Sequence, residues 1–221
     1  MQKVTNIQVF GLDESIYRSG YPMLKDKPDE KEFQENVESI RNARINNLEN
    51  SHIKRAVKLA RAGGGGHDQF LTGIIESFDL DISNKCWVEA ERYTFLNFIS
   101  SMSTMHRLSY LKIRDCCNRY VDEQIIKRAE ELQSEYNSLD KEVDPEAKKE
   151  AYLRLLYNIP SGFELTAGMI TNYRCLKNIY SQRKTHALPD WHVVCGWIEG
   201  LPLANELIMG VKRTNVYEDN Q

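Results

Sequence analysis

A run of rigid polar side chains stands inside a helical pattern between residues 171 and 192. The segment reads TNYRCLKNIYSQRKTHALPDWH, and its apolar residues have the spacing of a helix. Within about three turns it carries these amide and guanidinium groups: Asn172, Arg174, Asn178, Gln182 and Arg183. A helix that only packs against a core has no need of them. The pattern is typical either of a helix that presents donors and acceptors to a ligand or of a surface helix with incidental polar residues.

These polar residues divide between two faces of the predicted helix. Arg174 and Asn178 are i,i+4 neighbours on one face. Asn172 and Arg183 are about three turns apart and share a different face. An arginine offers a planar fork that suits a phosphate or an imide carbonyl. An asparagine offers both a donor and an acceptor, as recognition of a base edge requires.

Length, charge and cysteine usage limit the class of protein. The 221 residues predict a single domain, residues 1–221. A net charge of −3 argues against general nucleic-acid binding. We find neither a signal-peptide pattern nor an apolar run near the ~20 residues that a membrane helix needs. Five cysteines without a C-x-x-C pair predict no disulfide, no metal site and a cytoplasmic location.

The order of the predicted elements is mixed, with few strands and many helices, which indicates an α+β fold. Strands are expected at 4–10 and 72–82. Helices are expected from Asp13, as N-cap, through Arg18, around 33–48 and 53–63, and at 84–98, 125–139, 144–159, 172–186 and 190–199. The small polar stretch 100–109 is expected to be irregular.

Other candidates have a plain structural interpretation beside the functional one. The run GGGG at 63–66 has the composition of a backbone nest for phosphate or of a flexible connector, and it lacks the Lys-Ser/Thr of a P-loop. SSMSTMH at 100–106 offers hydroxyls without the G-x-S-x-G context of a nucleophile. A further group, at helical spacing, is expected to lie in the core: Trp87, Tyr93, Phe95 and Phe98.

The segment 160–192 resembles the C-terminal signature of flavin-dependent thymidylate synthases, also called thymidylate synthase complementing proteins. In that family a proline precedes, by twelve residues, a helix of the form N-x-R-x-x-x-[HN]-x-x-x-x-R. The matching residues follow without a gap: Pro160, Asn172, Arg174, Asn178 and Arg183. The family follows with a His-Ala-Gln-Trp-like segment, where this chain has His186-Ala187, then Leu-Pro-Asp, then Trp191.

Weaker resemblances cover most of the remaining chain. Residues 11–23 are similar to the family's early G-x-D-x-x-I segment, and 65–83 are similar to its G-H-E-x-x-x-F-E-H turn and the strand after it. The family's R-H-R-x-x-S-x-x-x-x-S-x-R motif is altered. Arg92 matches its first arginine, whereas Tyr93 and Thr94 stand in place of His and Arg. Ser103 and Arg107 match its later residues only with small shifts.

The resemblance implies a small twisted mixed or antiparallel sheet with long helices, assembled as a homotetramer. It implies that dUMP is methylated to dTMP, with FAD as cofactor and NADPH and methylenetetrahydrofolate as co-substrates. Arg183 is the expected catalytic residue, and the expected substrate-binding residues are Arg174, Arg183, Ser103 and Arg107. The expected cofactor-binding residues are His67, Arg92, Asn172 and Asn178. A non-catalytic nucleotide-binding protein on the same scaffold is the alternative.

Overall fold

The structure is a computed structural model that describes residues 3–62 and 66–210. Its four strands are β1 (Val4–Phe10), β2 (Ile75–Ser83), β3 (Asn97–Ser101) and β4 (Glu164–Asn172). Its helices are α1 (Leu12–Arg18), α2 (Glu30–Ile45), α3 (Ser51–Arg61), α4 (Asn84–Ala90), α5 (Thr104–Arg107), α6 (Glu123–Ser138), α7 (Pro145–Tyr157), α8 (Tyr173–Arg183), α9 (Pro189–Glu199) and α10 (Ala204–Leu207). The α+β fold class is confirmed.

The strands form one antiparallel sheet in the order β1-β2-β4-β3. The register of β2 against β4 is fixed at both ends, since Asn84 N donates to Phe163 O at 2.9 Å and Tyr173 N donates to Ile74 O at 3.1 Å. On β2 the buried residues alternate with half-buried ones. This period of two places one face of the strand toward the core.

The chain groups into two compact units. Of the described residues, the first holds 3–5, 79–92 and 98–169, and the second holds 6–62, 66–78, 93–97 and 170–210. The core of the first unit lies beneath α6 and α7 and consists of Leu108, Ile113, Ala129, Leu132, Leu155 and Phe163. The single domain expected from the length stays a prediction.

The second unit contains α8 and the helices around it. Its largest fully buried side chains include Trp191, Tyr173, Ile16 and Ile40. Phe78, on β2, packs against Trp197 of α9 with ring centroids 4.4 Å apart. Aromatic burial of this kind stabilises a unit by roughly 1.5–3 kcal/mol per large side chain. Tyr173, the first residue of α8, is among these buried side chains, so core packing anchors that helix within the unit.

Four details of the sequence prediction were wrong. The helix expected at 84–98 ends at Ala90, and the stretch expected to be irregular contains the end of β3 and all of α5. Phe95 and Phe98 are 61% and 47% exposed, so they are not core residues. The N-cap of α1 is Gly11 rather than Asp13, because the buried Asp13 carboxylate instead accepts two hydrogen bonds, at 2.8 and 2.9 Å, from Arg44.

Strand β4 was missing from the sequence prediction altogether. Its buried residues Ala167, Met169 and Thr171 alternate with more exposed ones, which is the period of a half-buried strand. No element was expected between the helices at 144–159 and 172–186, where Pro160 was noted only as part of the signature. The omission matters for function because β4 leads directly into α8, without a loop.

Candidate functional site

Asn172 begins α8 as its N-cap. Its Oδ1 accepts a hydrogen bond of 2.9 Å from Cys175 N, and the residue is 8% exposed. An asparagine is favoured here because its side chain satisfies a backbone N–H that the first helical turn leaves unpaired. The helix therefore begins at Tyr173, one residue later than expected. The cap accounts for Asn172 without a ligand, and its flavin-binding role stays a prediction.

Arg174 lies in an ionic cluster between α8 and the turn that follows residue 66. Its Nη1 donates to Gln69 Oε1 at 2.6 Å, and its Nε lies 3.3 Å from Asp68 Oδ1. The second oxygen of Asp68 accepts a hydrogen bond of 2.8 Å from Lys177 Nζ. One carboxylate thus contacts two cations, and both cations stand on the same side of α8 because they are three residues apart.

Lys177 extends this cluster to a third element. Its Nζ also donates to Ala60 O at 2.6 Å, at the last turn of α3. Carbonyl groups at the end of a helix lack intrahelical donors and carry partial negative charge, so a lysine is favourable there. Lys177 therefore ties α8 to the end of α3 and, through Asp68, to the turn beyond it.

Arg183, at the end of α8, is held between two aromatic rings. Its Nε donates a hydrogen bond of 2.8 Å to the hydroxyl oxygen of Tyr93. Its Cζ lies 4.8 Å from the ring centroid of Trp191 and 5.6 Å from that of Tyr93. The two rings pack edge to face with centroids 5.8 Å apart. Stacking on aromatic faces favours a guanidinium over an ammonium at this position.

Tyr93 is further oriented by its own hydroxyl proton, which it donates to Gln182 Oε1 at 3.0 Å. The phenol therefore accepts from one residue of α8 and donates to its neighbour. Trp191 is only 1% exposed, so the support under the Arg183 guanidinium is fixed by core packing. The arrangement restricts the rotamers of Arg183 before any ligand arrives, which lowers the entropy cost of binding.

Beneath α8, the second unit contains a buried carboxyl group. The side chain of Glu76, on β2, is fully buried, and neither of its oxygens has a hydrogen-bond partner within the described part of the chain. Burial raises the pKa of Glu76 to about 8. Burial, and secondarily the neighbouring Glu76, also raise the pKa of Tyr173, whose hydroxyl donates to Pro202 O at 2.7 Å. Desolvation disfavours the charged form of both groups.

The remaining predicted site residues are distributed between the two units. Asn178 and His67 are exposed and belong to the second unit. The first unit holds Arg92, which is exposed, and Ser103 and Arg107, which are half-buried. Ser103 stands at the N-cap of α5, although its side chain makes no capping hydrogen bond there.

Several residues at this site escaped the sequence analysis. Gln69 and Lys177 were not singled out. Tyr93 was noted as a replaced motif residue and as an expected core residue, and Trp191 only as part of the segment after the signature helix. Lys177 had a detectable signal, since it lies three residues after Arg174. The link from Tyr93 to Arg183 had none, because 90 residues separate the two.

Two structural findings concern the metal site and the membrane-spanning helix that the sequence predicts to be absent. Within residues 3–62 and 66–210, no group of three or more His, Cys, Asp or Glu side chains is arranged to hold a metal ion. In the same residues, no helix has the length and apolar character to cross a membrane. The phosphate nest considered for the glycine run falls largely on residues 63–65, which lie outside the described residues.

No family model and no curated protein matches this sequence. Two crystal structures of flavin-dependent thymidylate synthase ThyX from Helicobacter pylori with FAD and dUMP are similar to it, with TM-scores of 0.64 and 0.65. Each is 12% identical in sequence, and each alignment covers 96% of this chain and 100% of the other.

The chain has the flavin-dependent thymidylate synthase fold. The structural resemblance extends over almost the whole chain, beyond the C-terminal signature on which the sequence resemblance mainly depends. Tyr93, which the sequence resemblance aligns with the histidine of the altered R-H-R motif, contacts Arg183, the last arginine of the intact signature.

Proposed function

We propose that this protein binds dUMP and FAD and methylates dUMP to dTMP, with methylenetetrahydrofolate and NADPH as co-substrates. The observation that carries the proposal is the fixed orientation of Arg183, hydrogen-bonded to Tyr93 and stacked on Trp191. The fold supports it, because the similar solved structures contain FAD and dUMP. The intact set of Asn172, Arg174, Asn178 and Arg183 supports it as well.

Arg183 is assigned the catalytic role. Transfer of a one-carbon unit to C5 of the pyrimidine builds negative charge on the ring and its carbonyl oxygens. A guanidinium that is already oriented and partly removed from water stabilises that charge without reorganising at the moment of reaction. Removal of one such donor typically lowers the rate by about 10²–10³-fold. No protein nucleophile is needed for this role.

Arg174 is assigned to the nucleotide and Asn178 to the flavin. The donor set fits such ligands, because Arg174 is a 39% exposed guanidinium and Asn178 is an exposed amide. When bound, FAD would supply redox chemistry by accepting hydride from NADPH. The remaining assignments follow the family resemblance, with His67, Arg92 and Asn172 for the cofactor and Ser103 and Arg107 for the substrate.

The proposal includes a cytoplasmic homotetramer. An α8 with polar groups on two faces suits an assembly in which each face contributes to a different site. The half-buried Arg183 and the cluster around Arg174 lie nine residues apart on this one helix, which is about two and a half turns. The assembly explains why a short helix carries two separate sets of cationic groups.

One observation favours a second candidate, a non-catalytic nucleotide-binding protein on the same scaffold. Tyr93 and Thr94 replace the His and Arg of a motif that, by the family resemblance, helps to bind flavin and nucleotide. If the protein binds the nucleotide but no longer binds flavin, Arg183 is still needed for the nucleotide, whereas the flavin-binding motif is free to diverge. The two candidates differ in the cofactor and agree on dUMP.

A binding experiment separates the two candidates. The purified protein is examined for the visible absorbance of bound flavin and titrated with FAD and with dUMP, and dTMP formation is then assayed with all co-substrates. Saturable binding of both ligands with turnover is the expected result. A colourless protein that binds dUMP alone supports the non-catalytic candidate. Failure to bind dUMP contradicts both.

A further inference from the structure

The contacts of Arg174 leave one of its terminal nitrogens without a described partner. Nη1 is used by Gln69, and Nε is paired with Asp68. Within the described residues Nη2 has no hydrogen bond or ion pair, and the Arg174 side chain is 39% exposed. The guanidinium is thus held at two of its three nitrogens, while the third is positioned to donate to an incoming acceptor.

Asp68 is the residue on which this arrangement depends. Its two oxygens contact different cations, Arg174 on one side and Lys177 on the other. Lys177 is itself held by Ala60 O, so the carboxylate is anchored independently of Arg174. The Asp68 side chain is only 19% exposed, which limits its alternative rotamers and its screening by solvent.

We infer that Asp68 is a positioning residue for Arg174, which it holds in the orientation that binds an anionic oxygen of the nucleotide. The inference rests on the proposed function, because it takes dUMP as the ligand. It also gives a reason for the acidic residue at this place in the glycine-histidine turn, where the family pattern has Glu and this chain has Asp68. The cluster of Asp68, Arg174 and Lys177 keeps a formal charge of +1, which suits a phosphate.

Two explanations of Asp68, one by its charge alone and one by its positioning of Arg174, predict opposite effects on dUMP affinity when its carboxylate is removed. A negative group beside an anion site repels the ligand, so charge alone predicts tighter dUMP binding in Asp68→Ala. If Asp68 positions Arg174, Asp68→Ala weakens dUMP binding, because the Arg174 guanidinium loses the carboxylate that fixes its orientation. We expect about tenfold weaker binding, the size of a lost charge-assisted hydrogen bond.

The test is titration calorimetry with dUMP on the full chain and a set of variants. Asp68→Ala is compared with Asp68→Glu, which keeps the carboxylate, and with Glu49→Ala, which removes the carboxylate of an exposed ion pair of 2.8 Å to Lys54. We expect a loss in Asp68→Ala, recovery to within about threefold in Asp68→Glu, and no change in Glu49→Ala. Asp68→Asn, which keeps the size of the side chain, replaces Asp68→Ala if the latter does not fold.

A double-mutant cycle shows whether Asp68 acts through Arg174. In an Arg174→Ala background, Asp68→Ala should cost no further affinity, because the group that it positions is already gone. Additive losses, or unchanged or tighter binding in Asp68→Ala alone, overturn the inference. A lower melting temperature with unchanged affinity also overturns it, because it assigns Asp68 a structural role only. Wild-type protein that does not bind dUMP instead contradicts the proposed function on which the inference rests.

Discussion

The Arg183 guanidinium is joined to the Tyr93 hydroxyl by a hydrogen bond of 2.8 Å that spans 90 positions of the sequence. Tyr93 stands where the family resemblance has a histidine, and Arg183 is the last residue of the signature that this chain retains. The altered motif and the intact one therefore meet in a single contact.

Arg183→Ala is expected to weaken dUMP binding by roughly ten- to a hundredfold. The reason is the loss of a charge-assisted contact worth about 1.5–3 kcal/mol. Arg183→Lys should not restore it fully, because an ammonium lacks the planar fork that stacks on Trp191. Titration calorimetry measures both variants.

The matched control for Arg183→Ala is Arg128→Ala, which removes an arginine from the exposed face of α6. It should leave dUMP affinity unchanged. Thermal unfolding checks that each variant is folded. Unchanged affinity in Arg183→Ala would remove Arg183 from the site and, with it, most of the support for the proposed function.

Tyr93→Phe is expected to weaken dUMP binding by about two- to tenfold while the ring contacts remain. The substitution removes a hydrogen bond to Arg183 worth about 0.5–1.5 kcal/mol but keeps the aromatic face. Tyr120→Phe is the control, because the exposed Tyr120 also accepts a hydrogen bond from an arginine, Arg119, at 2.6 Å. Equal affinities for wild type and Tyr93→Phe would show that the phenol does not orient Arg183.

Glu76→Gln is expected to stabilise the protein at pH 8 and to flatten the dependence of stability on pH. The folded-state pKa of Glu76 is about 8, above its ordinary value of 4.5, so folding takes up a proton between these values. The contribution of Glu76 to the free energy of unfolding is therefore fully present below about pH 4.5 and is lost as the pH rises toward 8. The loss is on the order of a few kcal/mol.

Denaturant unfolding at pH 5 and pH 8 measures the effect of Glu76→Gln. The variant cannot ionise, so its two unfolding free energies should differ less than those of the wild type. Glu49→Gln serves as the control, because an ion pair with Lys54 lowers the pKa of that exposed carboxyl instead of raising it. Parallel pH profiles for wild type and Glu76→Gln would show that Glu76 is not a neutral buried acid.

The protein is expected to be a homotetramer in solution. Light scattering coupled to size exclusion should give about four times the chain mass of 25.7 kDa at micromolar concentration. A single species at the chain mass would contradict the assignment of the two faces of α8 to different sites.

Most helices, the first two strands and the residues of the signature could be predicted from local patterns in the sequence. Helix α6 followed from apolar residues at steps of three and four, α7 from Pro145 at its first turn and interleaved Glu and Lys, and β2 from its β-branched residues. Such patterns are local, so a single chain reveals them. The four signature residues from Asn172 to Arg183 were found in the same way, because their spacing is a property of one short segment.

Tertiary structure decided what each of those residues contacts. Asn172 became a helix cap because β4, which the sequence analysis did not detect, leads directly into α8. Arg174 contacts Asp68, which lies 106 positions earlier in the sequence, and Arg183 contacts Tyr93, which lies 90 positions earlier. Contacts over such separations depend on how the elements pack, and no local periodicity encodes them. The sequence therefore indicated which side chains carry the chemistry, and packing alone selected the partners that orient them.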